Sequence, residues 1–345
     1  MCDVLCALPA ASATGTTLFA KNSDRPPGEA QRLEWHPSRL DAGTVRTTYI
    51  DVDAHPGDTI GVLLSRPHWM WGAEHGVNEA GVAAGNETIY TTLDPRPFPP
   101  ALTGMDLVRL ALERAGTAEA AVVTITGLLE RYGQGGSGYE GKDVPYWSSF
   151  LVADPGDAWV VETSGATFAV ERVDRVRAIS NRTTIPSFDA EHRHPRQPVE
   201  RLVDPRWRAS RAVLEREPVD EAALRSHLRS HVGEDGWTVC MHAGDDQATT
   251  ASMVARLPAA GGGAAVRPLS WWCAGWPCRS VYVPLYVGGP VGEPVAWERF
   301  AALLPEHRPV MDDLQRSLSA DCSDSADWPH EAWRRADEAL RTLGI

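Results

Sequence analysis

Met1-Cys2-Asp3-Val4-Leu5-Cys6-Ala7-Leu8-Pro9 opens the chain, and Leu18-Phe19-Ala20-Lys21-Asn22-Ser23-Asp24-Arg25 follows after a short polar stretch. Residues 3–8 and 16–20 have the composition of two strands joined by a turn at Thr14-Gly15. Alternation along the first would put Cys2, Val4 and Cys6 on one face. Cys2 and Cys6 then lie roughly 13 Å apart at about 3.3 Å per residue, beyond disulfide reach, so Cys6 reads as packing. Cys2 stands directly behind Met1 and is small enough for the methionine to be trimmed. Trimming would leave a nucleophilic thiol and a basic α-amine, with a reference pKa of about 7.7–8.0, on one residue. The Lys-Asn-Ser-Asp-Arg cluster supplies polar groups that could hold that amine and a substrate. From position alone, Cys2 is equally readable as an ordinary strand residue.

The whole chain has 345 residues, 43% hydrophobic and 23% charged, which suits a globular protein with a sizeable core. A net charge of -13 argues against nucleic acid or an anionic membrane as a partner. Lys21 and Lys142 are the two lysines among many arginines, which makes a lysine at position 21 less incidental. No basic-then-apolar leader and no membrane-length apolar run is visible, so a cytoplasmic protein is expected. The six cysteines are too scattered for a disulfide scaffold, which fits a reducing compartment. Cys273 and Cys278 lack a second pair to complete a zinc site, and His192/His194 and His227/His231 lack supporting ligands. Neither a metal nor a cofactor is expected.

Further along, residues 59–64 read as a strand running into Ser65-Arg66-Pro67-His68-Trp69-Met70-Trp71-Gly72-Ala73-Glu74. That stretch is dense in aromatic and polar groups. Arg66, Trp69, Trp71 and Glu74 are its substrate-binding candidates, although large aromatics such as Trp69, Trp71 and Trp147 also serve as core. A strand is expected at 82–86 and amphipathic helices at 105–114 and 118–131, the second capped by Thr117 and closed by Gly133. The glycine-rich run 133–138 lacks the lysine of a phosphate loop and reads as a flexible connection or lid. A strand meander spans 149–180. Residues 183–209 are rich in Pro, Arg and His and read as an irregular excursion. A helix is expected near 221–231, strands at 237–240, 251–256, 270–273 and 281–287, and a helical tail from about 295. This order suggests one α/β domain over residues 1–345 with mainly antiparallel sheets.

Several of these stretches together resemble the secernins and their bacterial dipeptidase relatives. They include Cys2-Asp3-Val4-Leu5, Phe19-Ala20-Lys21-Asn22-Ser23-Asp24-Arg25, Ser65-Arg66-Pro67 with Trp69-Met70-Trp71-Gly72-Ala73-Glu74, Gly76-Val77-Asn78-Glu79-Ala80-Gly81, Tyr132-Gly133-Gln134-Gly135-Gly136 and Thr249-Thr250-Ala251-Ser252-Met253-Val254. The resemblance runs to about Asn181 and resumes near Trp237. It implies a four-layer αββα sandwich of the N-terminal-nucleophile hydrolases. It also implies metal-free cleavage of an amide bond in a small molecule or short peptide. Cys2 falls on that family's nucleophile. Lys21 and Asp24 fall where related acylases carry an arginine and an aspartate. Asn86 matches an asparagine of the oxyanion hole, and Asn181 one that touches the N-terminal amine.

Without the resemblance, Lys21 and Asp24 read equally as an ion pair at a strand end. Asn86-Glu87-Thr88 and Asn181-Arg182-Thr183 have the form of glycosylation sequons, for which a cytoplasmic protein has no use. His242 could be a base or a satisfied strand histidine. The expected activity is an amidohydrolase of dipeptidase type acting through an acyl-enzyme on Cys2. Two alternatives stand beside it: acyl transfer from the same intermediate to an amine, and a non-catalytic, secernin-like regulatory role. A homo-oligomer is compatible with either.

Overall fold

The computed structural model describes residues 1–258 and 266–345. In chain order, β1 (Cys2–Ala7), β2 (Thr17–Arg25) and β3 (Gln31–His36) precede a small hairpin, β4 (Thr44–Arg46) and β5 (Asp51–Asp53). Next come β6 (Val62–Pro67), β7 (His75–Asn78), β8 (Ala83–Ile89), α1 (Gly104–Arg114) and α2 (Ala118–Tyr132). The meander is β9 (Trp147–Ala153), β10 (Ala158–Ser164), β11 (Thr167–Arg172) and β12 (Val176–Ser180). It is followed by α3 (Pro186–His192), α4 (Val199–Leu202), α5 (Asp204–Leu214) and α6 (Glu221–Leu228). The remaining strands are β13 (Gly233–Glu234), β14 (Trp237–Thr238), β15 (His242–Ala243), β16 (Gln247–Leu257), β17 (Leu269–Ala274) and β18 (Val283–Tyr286). Helices α7 (Trp297–Ala301), α8 (Arg308–Asp321) and α9 (Trp328–Thr342) end the chain.

Two antiparallel sheets carry the fold. The first runs β12-β1-β2-β16-β17-β18 with β15 beside β16, and the second runs β11-β10-β9-β8-β7-β6-β3. Alternation along β1 and β2 explains how they stack. Val4, Cys6 and Phe19 face the second sheet and meet Val77, Ala83 and Leu151. Leu5, Ala7, Leu18 and Ala20 point the other way, onto Leu214, Leu224 and Leu228 of α5 and α6. On the far side of the second sheet, Leu64, Ala84 and Phe150 pack on Leu107, Ala111 and Ile125 of α1 and α2. The layers are therefore αββα, the expected N-terminal-nucleophile sandwich. Trp328, Trp333 and Leu340 of the tail join the core between the sheets. Among the described residues, no helix is long and apolar enough to cross a membrane.

The second strand, expected to end at residue 20, does not stop there; Lys21–Arg25 continue it as the end of β2, paired with β1 and β16. Each of its polar side chains makes at least one hydrogen bond: Lys21 to Asn86, Asn22 to the Leu228 and Val239 carbonyls, Ser23 to Gln31, Asp24 to Thr249 and Arg25 to Glu29 and Glu74. These bonds make burial of a polar strand end tolerable. Residues 183–209 are not irregular either, since α3, α4 and the start of α5 lie there. Pro186 and Pro205 stand in the first turns of α3 and α5, where the missing N–H costs nothing. That change brings α5 onto β1 and β12.

Candidate active site

Cys2 is the first residue of β1, opposite Ser23 of β2, and it is 5% exposed. Its thiol lies on the same face as Val4 and Cys6, toward the second sheet. The Asp24 backbone N–H points at Cys2 Sγ across 3.5 Å. The Lys21 ammonium faces the same sulfur, stands 3.5 Å from a Glu74 carboxylate oxygen, and donates to the Asn86 carbonyl. Space for the lysine stem comes from Gly85 of β8, where a Cβ would stand 2.6 Å from Lys21 Cδ.

Burial pushes the Cys2 thiol upward, against the pull of the Lys21 charge and the terminal amine; Glu74 and Asp24 add to the rise. Burial also opposes the Lys21 charge, but Cys2, Glu74 and Glu87 outweigh it and the ammonium titrates above its ordinary range. Glu74, opposed by burial and favoured by Lys21 and Arg25, is held below the usual carboxylate range. Arg25 extends the network, with Nη1 at 2.6 Å from Glu74 and Nε at 2.6 Å from Glu29. It also donates to the Gly138 carbonyl, so the glycine-rich run is anchored to the site rather than loose.

A second set of groups surrounds the nitrogen of Cys2. The backbone N–H donates to Asn181 Oδ1 at 2.8 Å, and Asn181 Nδ2 donates to the Thr88 carbonyl at 3.0 Å. Arg206 of α5, fully buried, donates to Asn181 Oδ1 at 3.0 Å, to Asp3 at 2.6 Å and to the Cys2 carbonyl at 3.3 Å. Asp24 Oδ1 accepts the Thr249 hydroxyl at 2.6 Å, while the buried Oδ2 has no partner among the described residues. Burial, offset in part by the terminal amine and Arg206, pushes the Asp24 carboxyl up to about 6. Met1 crosses this region, its ammonium donating to Gln247 Oε1 at 2.9 Å and to the Asp24 carbonyl at 3.3 Å.

Cys2, Lys21, Asp24, Asn181 and Glu74 therefore converge. The Asn86 amide does not join them. Its Nδ2 lies 3.2 Å from Met105 Sδ, on the α1 side of the sheet. Alternation along β8 accounts for this: Gly85 and Glu87 face the first sheet, so the side chain between them faces the helices. Only the Asn86 carbonyl reaches inward. Arg66 pairs with Glu34 at 2.6 Å and donates to carbonyls at His68 and Met70, and Trp71 stacks under Arg109 at 4.1 Å; neither touches a residue around Cys2. Trp69 reaches the network at one remove, its indole N–H 3.2 Å from Glu29.

Glu87, Arg206, Gln247 and Thr249 belong to the site and are absent from the sequence-based candidates. Glu87 is 1% exposed, neither carboxylate oxygen has a partner among the described residues, and burial and Asp3 push it well above the carboxylate range. Alternation from Gly85 could have singled it out. Arg206 carried no signal among so many arginines. Beyond Asn181 opens a cavity of about 630 Å³ lined by Tyr90, Arg96, Asp143, His194 and Arg196. Gln197 in its wall donates to the Asn181 carbonyl at 2.7 Å.

A match to Peptidase family C69 covers residues 2–197, more than half of the chain. The chain belongs to peptidase family C69. This is the dipeptidase and secernin family that the sequence resembles, and the C69 chain is accordingly a cysteine hydrolase acting on amide bonds. Two solved variants of the conjugated bile acid hydrolase from Clostridium perfringens share its fold. Each is 12% identical with a TM-score of 0.52; the alignments cover 83% and 82% of this chain and 92% of the hydrolase. An N-acylethanolamine-hydrolyzing acid amidase ortholog from Caenorhabditis elegans aligns over 73% of this chain and 91% of its own, at 12% identity and a TM-score of 0.43.

Proposed function

We propose that this C69 chain is a dipeptidase-type amidohydrolase whose Cys2, freed of Met1, carries the acyl group. The observation that carries the reading is the double setting of Cys2, with a cation at its sulfur and hydrogen-bond acceptors around its nitrogen. Removal of Met1 converts that nitrogen to an amine. Asn181 Oδ1 already accepts from it, and the unpartnered Asp24 Oδ2 is a second buried acceptor nearby. The amine takes the thiol proton, directly or through one water, and Lys21 stabilises the thiolate. The sulfur attacks the substrate carbonyl carbon, and the oxyanion develops beside Lys21 and the Asp24 N–H. As the C–N bond breaks, the Cys2 ammonium gives its proton to the leaving amine. Water then attacks the thioester, with the same amine as base, and releases the acid.

The groups that hold Met1 favour a peptide with a free amino end. Gln247 Oε1 and the Asp24 carbonyl form an acceptor pair that now binds the Met1 ammonium, one residue from Cys2. A dipeptide ammonium suits that pair once Met1 is gone. The neighbouring cavity is of ordinary size for a small ligand and mixes both signs of charge. The test is a panel of dipeptides beside their N-acetyl counterparts. Free dipeptides should be turned over at least about tenfold faster, the worth of one charge-assisted hydrogen bond. Equal rates on the acetylated series would contradict the assignment of substrate class, and activity retained in Cys2→Ala would contradict the nucleophile.

A further inference from the structure

His231, Cys240, His242 and Cys278 come from three separate segments, and their ligand atoms all lie within 4.8 Å of one another. His231 follows α6, Cys240 and His242 flank Met241 at β15, and Cys278 sits in the turn between β17 and β18. The sequence-based objection to a zinc site at Cys278 was the lack of a second pair. Folding supplies one, from Cys240 and His242 rather than from Cys273.

We infer that these four side chains form a structural zinc site. His242 Nε2 lies 3.3 Å from Cys278 Sγ and 3.5 Å from Cys240 Sγ. A zinc tetrahedron with Zn–S of about 2.3 Å and Zn–N of about 2.0 Å has S···N edges of about 3.5 Å. The observed separations are therefore close to the edges of a ligand tetrahedron. The donor set is two thiolates and two imidazoles with no carboxylate, which selects zinc over magnesium or calcium. Two thiolates also neutralise the divalent charge, so a half-buried position carries little electrostatic penalty. Four protein ligands leave no open position, which assigns the ion to structure rather than to the chemistry at Cys2.

Both backbone segments are held independently of any ion. Cys240 N–H donates to the Ser230 carbonyl at 2.8 Å and His242 N–H to the Gly236 carbonyl at 2.9 Å. Arg308 donates to the Pro277, Cys278 and Ser280 carbonyls, and Arg229 to the Pro277 carbonyl. An ion here would fasten the β15 segment to the β17–β18 turn. Met241, between two ligands, donates its N–H to Thr249 Oγ1 at 2.8 Å, and Thr249 donates to Asp24 at 2.6 Å. The site thus also positions Asp24 through Thr249.

Elemental analysis of the full-length protein, purified without chelator, should give about one zinc per chain. Cys240→Ser and Cys278→Ser should each reduce it to below about a tenth. Because either variant could misfold, the wild-type protein is also stripped and reloaded with Co(II). A thiolate-to-cobalt charge-transfer band with strong tetrahedral d–d absorption is the expected spectrum. Weak octahedral absorption would overturn the inference. So would a Cys240–Cys278 disulfide in the native protein, failure of the stripped protein to take up cobalt, or zinc that persists undiminished in both variants.

Discussion

Asn181 Oδ1 accepts the backbone N–H of Cys2 at 2.8 Å, and Arg206 donates to that same oxygen at 3.0 Å. One amide oxygen, just past the end of β12, thus fixes the nitrogen that would become the catalytic base. Asn181→Ala leaves both the Cys2 nitrogen and Arg206 short of an acceptor in a buried setting. Stability should fall by about 1–3 kcal/mol in denaturant titration. Turnover should fall by about ten- to a hundredfold, with little change in KM. Full activity in Asn181→Ala would mean that the Cys2 nitrogen needs no such anchor.

Lys21 lowers the Cys2 thiol pKa against burial, so Lys21→Met should shift the pH profile of Cys2 alkylation to higher pH. The same shift is expected, in smaller measure, from Gly85→Ala. Its new Cβ would stand 2.6 Å from Lys21 Cδ and displace the ammonium, at an overpacking cost of about 1–3 kcal/mol. Rates of iodoacetamide labelling against pH distinguish this from a purely structural defect, because exposing the thiol removes the burial that raises it and would speed labelling while moving the midpoint to lower pH.

Asn86 acts through its carbonyl on Lys21, with its amide turned to Met105. Asn86→Ala should therefore cost less than about tenfold in kcat. A loss of about 100- to 1,000-fold, the worth of one oxyanion donor, would instead assign the side chain to the oxyanion hole.

In the chain that retains Met1, Asp24 titrates at about 6, above the reference of 3.8, chiefly because it is buried. A raised carboxyl keeps its proton in the folded state at pH values where the unfolded chain has lost it. Its contribution is therefore present below about pH 4 and is lost as pH rises from about 4 to 6, by at most about 3 kcal/mol. Other buried carboxyls share the sign, so the comparison with Asp24→Asn isolates this one. The variant should show a flatter decline in unfolding free energy across that window.

The sandwich was legible because its strands alternate cleanly and its core positions are period-two and apolar, from Val4-Cys6 to Leu151-Ala153. Lys21 and Asp24 were legible as candidates but not as strand residues, since polarity reads as loop unless the partners across the sheet are known. Asn86 misled because a motif names a residue without saying which face of its strand it occupies. Arg206 and the His231–Cys240–His242–Cys278 cluster were invisible for another reason. Each depends on contacts between segments far apart in sequence, which spacing cannot express.

Turnover through a Cys2 that bears a free α-amine passes through an acyl-enzyme on its sulfur. Rapid acid quench of wild-type protein during dipeptide turnover, followed by intact and peptide mass spectrometry, tests it most directly. The expected result is a chain lacking Met1 with the acyl group of the substrate on Cys2, and no adduct in Cys2→Ala. An active enzyme that retains Met1, or an acyl group on any other residue, would contradict it.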